Sequence, residues 1–426
     1  MDFLEFLNKS VTPYHTVESL KALLACAEDE NVQLFERGGA LIAVRPPKEV
    51  CSDSKFRIAL AHTDYPTLKI TPNPDSASAG VRTLHPEIYG SPLFTSWLDR
   101  DLGYAGLLAY ERNGKLETKL VRGDKLFRIP QLAVHLNRGV NQDGLKVNPQ
   151  TDLNALWTAM DGRERFVDAL SAELPAGSKL LDFDIQLFDA QPANRGGFAD
   201  EWIYSGRLDN LSSCHAIAEA FAAALALEND FQVAAFFNNE EVGSETREGA
   251  AGNFLKSVLE NVAMSAALDS STSLRSAQND KSLSSLVCSE LASVLSSSFA
   301  LSIDMAHACH PNFVQKHEGN HAPVLGGGVV LKMNSQKRYA SDVFSNARFK
   351  LLCEQSNILY QTFVMRNDMP CGSTVGPAIS ASLGIPTVDI GEPMLSMHSI
   401  REMTAVVDHE NMTKLVSALY CSSNLA

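Results

Sequence analysis

The chain has 426 residues, enough for two domains or for one large α/β core carrying an insertion. Its 45% hydrophobic and 20% charged residues are those of a globular protein, which excludes a wholly disordered chain. Acids outnumber bases 50 to 36, for a net charge of −14, and no block of Lys and Arg could follow a phosphate backbone, which argues against a nucleic-acid partner.

The start, Met1-Asp2-Phe3-Leu4-Glu5-Phe6-Leu7-Asn8, is amphipathic and acidic and lacks the basic region and apolar core of a signal peptide. No stretch approaches the roughly 18 uncharged apolar residues of a membrane span, so a cytoplasmic protein is expected. The eight cysteines include no close pair, which suggests neither a zinc knuckle nor a redox dithiol; they read as reduced core residues.

Val17, Leu20, Leu23, Leu24 and Ala27 recur at helical spacing, with Thr16 as the expected N-cap and His15 as a capping or packing histidine. Ile58-Ala59-Leu60-Ala61 is a short apolar strand that runs into His62-Thr63-Asp64. Residues two apart in an extended segment point the same way, so Asp64 can hold one imidazole nitrogen of His62 while the other faces a metal. From about 72 to 204 short apolar runs alternate with Gly, Pro, Asn and Asp, the texture of a mostly β insertion. We therefore expect one α/β domain over 1–72 and 205–426 and an inserted domain over 73–204. His135, in the apolar segment Ile129–Arg138 of that insertion, reads from its neighbours as a core histidine.

Asp209 and Asn210 precede the helical stripe Leu211, Cys214, Ile217, Ala218, Phe221 and Leu225, so they sit at a helix start, where Asp is often simply an N-cap. Val233-Ala234-Ala235-Phe236-Phe237 has no polar residue and reads as a strand covered on both faces. It ends in Asn238-Asn239-Glu240-Glu241. Alone, that pair reads as a solvated turn, yet ligands in α/β sheets sit at strand carboxyl ends, and adjacent carboxylates there repel unless a cation or shared proton relieves them.

Val262–Leu268 looks like a strand ending at Asp269, and a helix is expected near 285–298 within a serine-rich stretch. Ala300-Leu301-Ser302-Ile303 ends at Asp304, with His307 and His310 following. Gly326-Gly327-Gly328 lacks the Lys-Ser/Thr of a phosphate loop and reads as a flexible turn before the strand Val329–Lys332. Cys371–Pro377 precedes a short helix, Pro386–Gly391 is a strand and turn, and His398 lies just after this last core strand.

The order His62-x-Asp64, Asp209, Glu240-Glu241, Asp304, His398 assembles His and carboxylate ligands at strand ends and helix starts. Two zinc ions about 3.5–4 Å apart could share one carboxylate. Asp209 is the natural bridge, with His62 and Asp304 on one ion and Glu241 and His398 on the other. Glu240 remains outside the ligand set and is the expected general base. Cobalt or manganese could occupy similar ligands.

This pattern resembles the co-catalytic zinc aminopeptidases, and in particular the aspartyl aminopeptidase family. The resemblance is carried by Ala61-His62-Thr63-Asp64, Leu208-Asp209-Asn210, Asn238–Ser244, Asp304-Met305-Ala306-His307-Ala308, Asn334–Tyr339, Pro370–Thr374 and Met397–Met403. It implies a three-layer α/β/α proteolytic domain interrupted by a mostly β dimerisation domain, in a tetrahedral homododecamer built from dimers. It also implies removal of N-terminal residues, preferably Asp or Glu, from short peptides, by attack of metal-bound hydroxide with Glu240 as general base; Asp64 is expected as the second catalytic residue. Three further residues follow from the match: Lys332 facing the acidic side chain, Tyr339 near the tetrahedral intermediate, and His135 entering a neighbouring subunit's site. Two other readings use the same residues: a zinc amidohydrolase acting on N-acyl amino acids, and a non-catalytic assembled shell.

Overall fold

The computed structural model describes residues 1–27, 31–51, 53–159, 165–270 and 291–422. Its strands, numbered along the chain, form three sheets. The first joins β1 (Gln33–Arg37), β2 (Ala40–Arg45), β3 (Phe56–His62), β12 (Phe231–Phe237), β13 (Phe299–Ile303), β15 (Val329–Met333), β16 (Tyr360–Val364) and β17 (Thr387–Gly391) in the order β1-β2-β12-β3-β13-β17-β15-β16. The central run β12-β3-β13-β17 is parallel.

Each central strand is buried along its whole length because it has a hydrophobic layer on both faces. In β3, Ala59 and Ala61 join one cluster while Phe56, Ile58 and Leu60 join the other; in β12, Ala234 and Phe236 oppose Val233, Ala235 and Phe237. The period-two alternation of a strand thus sends neighbouring apolar residues into two separate cores. Helices α1 (Phe3–Lys9), α2 (Pro13–Leu24), α5 (Leu208–Ala223), α8 (Val343–Gln355) and α10 (Val406–Cys421) cover the first face. On the second lie α6 (Phe254–Ser270), α7 (described over 291–297) and α9 (Val375–Leu383). This is the expected three-layer α/β/α arrangement.

The second sheet is antiparallel and six-stranded: β4 (Thr67–Ser78), β5 (Val81–Tyr89), β6 (Leu102–Arg112), β7 (Lys115–Arg122), β8 (Ala155–Ala159) and β9 (Lys179–Asp189), in the order β7-β6-β9-β4-β5-β8. With α3 (Val140–Asp143) and α4 (Phe166–Ala172) it has a core of its own around Leu68, Trp97, Phe127, Phe166 and Leu187. The third sheet is small and joins distant segments: β10 (Asn194–Gly196), β11 (Trp202–Ser205), β14 (Ala306–His307), β18 (Pro393–Leu395) and β19 (Glu402–Ala405), in the order β10-β11-β19-β18-β14.

Several local expectations are corrected. Residues 262–268 are the C-terminal part of helix α6, not a strand; Phe254, Leu255, Val258, Leu259 and Val262 are buried at helical spacing, a period that a seven-residue window cannot display. The N-cap of α2 is Thr12, whose Oγ1 accepts the His15 N–H, while Thr16 lies inside the helix and returns its hydroxyl to the Thr12 carbonyl. Pro13 at the first helical position explains the shift, since its missing N–H costs nothing there. Of the described cysteines only Cys214 and Cys353 are buried, and Cys26, Cys51 and Cys421 are exposed. The turn at Gly326–Gly328 is tied down: Asp408 accepts the N–H of Gly326 at 2.6 Å and of Gly328 at 3.0 Å. Cys288 and the first part of the 285–298 helix lie outside the described residues.

The dependence on the double-sided core is measurable. Phe236 is fully buried in the first cluster, so Phe236→Ala should lower the unfolding free energy by about 3–5 kcal/mol, read as a reduced urea midpoint with unchanged slope.

Candidate metal centre

Parallel strands deliver the site. In register, Phe237 lies opposite His62, so the residues after β12 emerge beside the last residue of β3, and Asp304 follows β13 at the same edge. The third sheet supplies the rest: β11 leads into Asp209, β14 follows Asp304, and β18 and β19 flank His398.

The His62 Nδ1–H donates to the Asp64 carbonyl oxygen at 3.0 Å, which turns Nε2 toward the acids. The Asp64 carboxylate, expected to hold the imidazole, is farther from it at 3.5 Å and is engaged elsewhere. Its Oδ1 accepts the Glu240 N–H and its Oδ2 the Glu241 N–H, both at 3.1 Å, and the Tyr89 hydroxyl donates to Oδ2 at 2.7 Å. A carboxylate with several donors is the form of acid that burial tolerates. Asn239, in the left-handed region at φ 64°, turns the chain into the Glu240-Glu241 segment and donates its amide to the Tyr89 oxygen at 2.9 Å.

Asp209 lies at the start of α5, and its peptide bond to Asn210 is cis. Its two oxygens face different groups. Oδ1 is 3.4 Å from His62 Nε2, which is itself 3.5 Å from Asp304 Oδ1; Oδ2 is 3.5 Å from His398 Nε2, which is 3.5 Å from Glu241 Oε2. His62, Asp209 and Asp304 form one cluster of potential ligand atoms, and Asp209, Glu241 and His398 a second. Glu240 Oε2 stands 3.9 Å from His62 Nε2. Asp209 Oδ1 and Glu241 Oε1 are buried and meet no hydrogen-bond donor. Two orphaned carboxylate oxygens beside imidazoles fit divalent cations by donor type and charge, and hydrogen bonding within the protein leaves them unsatisfied.

The protein's own groups show the strain of this crowding. Burial, with Asp304, Asp64 and Asp209 nearby, pushes the Glu240 carboxyl up to about 8, and burial with Asp209 raises Glu241 well above the usual carboxylate range. Burial opposes ionisation of Asp209, but His398 and His62 hold its carboxyl well below that range. Burial would neutralise His398, yet Asp209 and Glu241 raise it to about 10. A cation would replace these protons.

A cavity of about 590 Å³ opens over the cluster and is lined by Glu240, Lys332, Tyr339, His307 and all five expected ligands. Lys332 is buried rather than an exposed strand-end lysine; its Nζ lies 3.5 Å from Asp304 Oδ2 and 5.5 Å from the centre of the Tyr339 ring. The turn carrying Tyr339 is set by Asp389, which accepts the Ala340 N–H and the Thr374 hydroxyl, each at 2.6 Å. His310 is not in this lining; its N–H donates to His317 Nε2. His135 is exposed and far from being a core histidine, and it does not line this cavity.

Sequence reading missed Tyr89, Asn239 and Glu402. Tyr89 is on β5 of the second sheet and carries no motif that would link it to β12. Glu402 had a signal, an acid four residues after His398.

Buried histidines and carboxylates gathered at the ends of parallel strands, with free oxygens toward a cavity, define a metal-dependent hydrolase site. Residues 6–420 match the family model described as Aminopeptidase I zinc metalloprotease (M18). A Probable M18 family aminopeptidase 2 of Pseudomonas aeruginosa (strain UCBPP-PA14) is 37% identical over 444 residues, covering 99% of this chain and 98% of that protein. In a cryo-EM structure of the Ape4 and Nbr1 complex, a chain 31% identical superposes with a TM-score of 0.87, covering 98% of this chain and 84% of that one. The S. cerevisiae mApe1 dodecamer is 26% identical with a TM-score of 0.77, over 98% and 94% of the two chains. The chain belongs to the M18 family of zinc metallopeptidases, and its activity is that of a zinc aminopeptidase. No described helix is long and apolar enough to cross a membrane.

The Tyr89 contact gives a test. Tyr89→Phe removes one donor to Asp64 and the acceptor of Asn239, which should cost about 1–3 kcal/mol of stability, measured as thermal unfolding, without removing any zinc ligand.

Proposed function

We propose that the protein is a two-zinc aminopeptidase in which Asp209 would serve both ions, His62 and Asp304 would complete one ligand set, and Glu241 and His398 would complete the other. The observation that carries this reading is the division of the Asp209 oxygens between two His-carboxylate pairs. Zinc bound there would polarise the scissile carbonyl and lower the pKa of a water. Glu240 reaches the same space without belonging to either three-residue set that shares Asp209, so it is the group to take the water's proton and return it to the departing amine. Asp64 acts on Glu240 and Glu241 by fixing their backbone. Tyr339, buried at the cavity wall with its hydroxyl kept protonated by burial, is placed to donate to the oxygen that becomes negative on attack.

Lys332 gives the acidic preference. Once Asp304 is committed to a cation, the buried ammonium needs another partner, and the side-chain carboxylate of an N-terminal Asp or Glu supplies it. Which of the two is preferred depends on reach.

His135 belongs to the assembly. It stands among Leu132, Val134 and Leu136, three apolar residues that are 57%, 49% and 75% exposed, and such a patch is what a subunit interface covers. With a dodecameric structure among its relatives, we read residues 73–204 as a dimerisation domain that presents His135 to a neighbouring copy's cavity in a homododecamer.

Glu240→Gln should keep fold and zinc and lose turnover by about 10²–10⁴-fold, checked by metal analysis beside hydrolysis of an aspartyl reporter. A correctly folded, fully active variant would sink the assignment. Lys332→Ala should reduce kcat/KM at least tenfold more on Asp and Glu than on Leu substrates. Chelation should abolish both activities and zinc should restore them, while N-acetyl-Asp substrates stay intact; cleavage of the acetylated substrates alone would favour the amidohydrolase.

A further inference from the structure

Glu402 is the first residue of β19, is almost fully buried, and uses both carboxylate oxygens on backbone donors. Oε2 accepts the Asp209 N–H at 3.1 Å and Oε1 accepts the His398 N–H at 2.7 Å. These two residues lie 189 positions apart in the chain (398 − 209) and approach from different loops. The small sheet brings the loops together, since Ser205 of β11 pairs with Glu402 of β19 just before each diverges toward the cavity. The approach leaves no slack: a Cβ on Gly206 would lie 2.4 Å from the Ile400 carbonyl oxygen.

We propose that Glu402 is a positioning residue for the zinc centre: a buried carboxylate clasp that holds the backbone of Asp209 and His398 at the separation at which both side chains can meet one ion. The inference rests on the two-zinc reading above. Two N–H donors converge on the two oxygens, so the group must offer two acceptors. Glutamine keeps the shape but replaces one acceptor by an NH₂ that faces an N–H. One loop is then released, and the ligand it carries loses its place. Asp64 does the same for Glu240 and Glu241, so two carboxylates that lie outside the proposed ligand set fix the backbone of four residues in the site. Groups that orient metal ligands from behind typically account for 10- to 100-fold in metal affinity.

The test compares wild type, Glu402→Gln and Glu402→Asp, the last being one methylene too short to reach both donors. Zinc affinity is measured by competition with a chelator, and thermal unfolding is followed with zinc removed and restored. Glu402→Gln should bind zinc about 10- to 100-fold more weakly and show a smaller zinc-induced rise in Tm, with KM unchanged at saturating zinc. Should the glutamine variant not fold, the same rise is read on Glu402→Asp. A Tm lowered equally with and without zinc, at unchanged zinc affinity, would make Glu402 a purely structural residue and overturn the proposal; so would failure of both variants to fold in either condition. An Asp209→Asn control separates the two ideas. If it binds zinc as tightly as wild type, the metal centre itself is misassigned and both readings fall. If it loses zinc while the Glu402 variants do not, only the clasp is wrong.

Discussion

Six acidic side chains, Asp64, Asp209, Glu240, Glu241, Asp304 and Glu402, surround two histidines at one edge of the central sheet, and their mutual repulsion is the constraint that the rest of the site answers. Asp64, Asp209, Asp304 and Glu402 are buried, so each of their oxygens turned away from the cavity needs a donor or a cation. The groups divide by how they are satisfied. Asp64 and Glu402 are bound by backbone N–H groups as parts of the framework; His62 and Tyr89 hold the buried Asp64 carboxyl low, while burial beside Asp209 pushes the Glu402 carboxyl up to about 8. Asp209 Oδ1 and Glu241 Oε1 are left without donors; the first faces His62, while the other oxygen of Glu241 faces His398. Glu240 has its backbone held by Asp64, and its side chain is left at the border of the cluster, where its proton affinity is raised.

The architecture distributes this burden over two sheets. The large parallel sheet brings His62, Glu240, Glu241 and Asp304 to one edge because the strands that carry them run the same way and stay in register. The five-stranded sheet then closes the site from the side, with β11 and β19 bringing the loops of Asp209 and His398 together. The second, six-stranded sheet also reaches in: Tyr89, its contribution, lies at the end of β5 and touches Asp64 and Asn239. The stability of that unit and the geometry of the metal centre are therefore coupled through this phenol and through the loop after β5, where the Ser91 carbonyl accepts from His398 Nδ1 at 3.1 Å.

Much of this was legible in the chain. The all-apolar Val233–Phe237 announces a strand covered on two faces, and the acids that follow it announce a site at its end, because polarity so abrupt needs a reason. The ligand types were equally legible, since only His and carboxylate recur at those strand ends. Less was legible where a local pattern has two meanings. Val262–Leu268 is apolar enough for a strand, and only the upstream positions reveal its helical period. Thr16 reads as the cap only while Pro13 is left out of account, since a proline suits the first helical position and moves the cap back to Thr12. His135 sits among apolar neighbours that the fold leaves on the surface.

The sequence by itself determined the residue types of the centre, the strands and helix starts that carry them, and the family, because these depend on periodicity and on the chemistry of individual side chains. Only the tertiary structure decided which oxygen faces which nitrogen, that Asp64 holds the Glu240 and Glu241 backbone more closely than it holds the His62 ring, and that Glu402 and Tyr89 belong to the site at all. Those facts rest on hydrogen bonds between segments more than a hundred residues apart, and such pairings follow from strand register and sheet order, which no short stretch of chain contains.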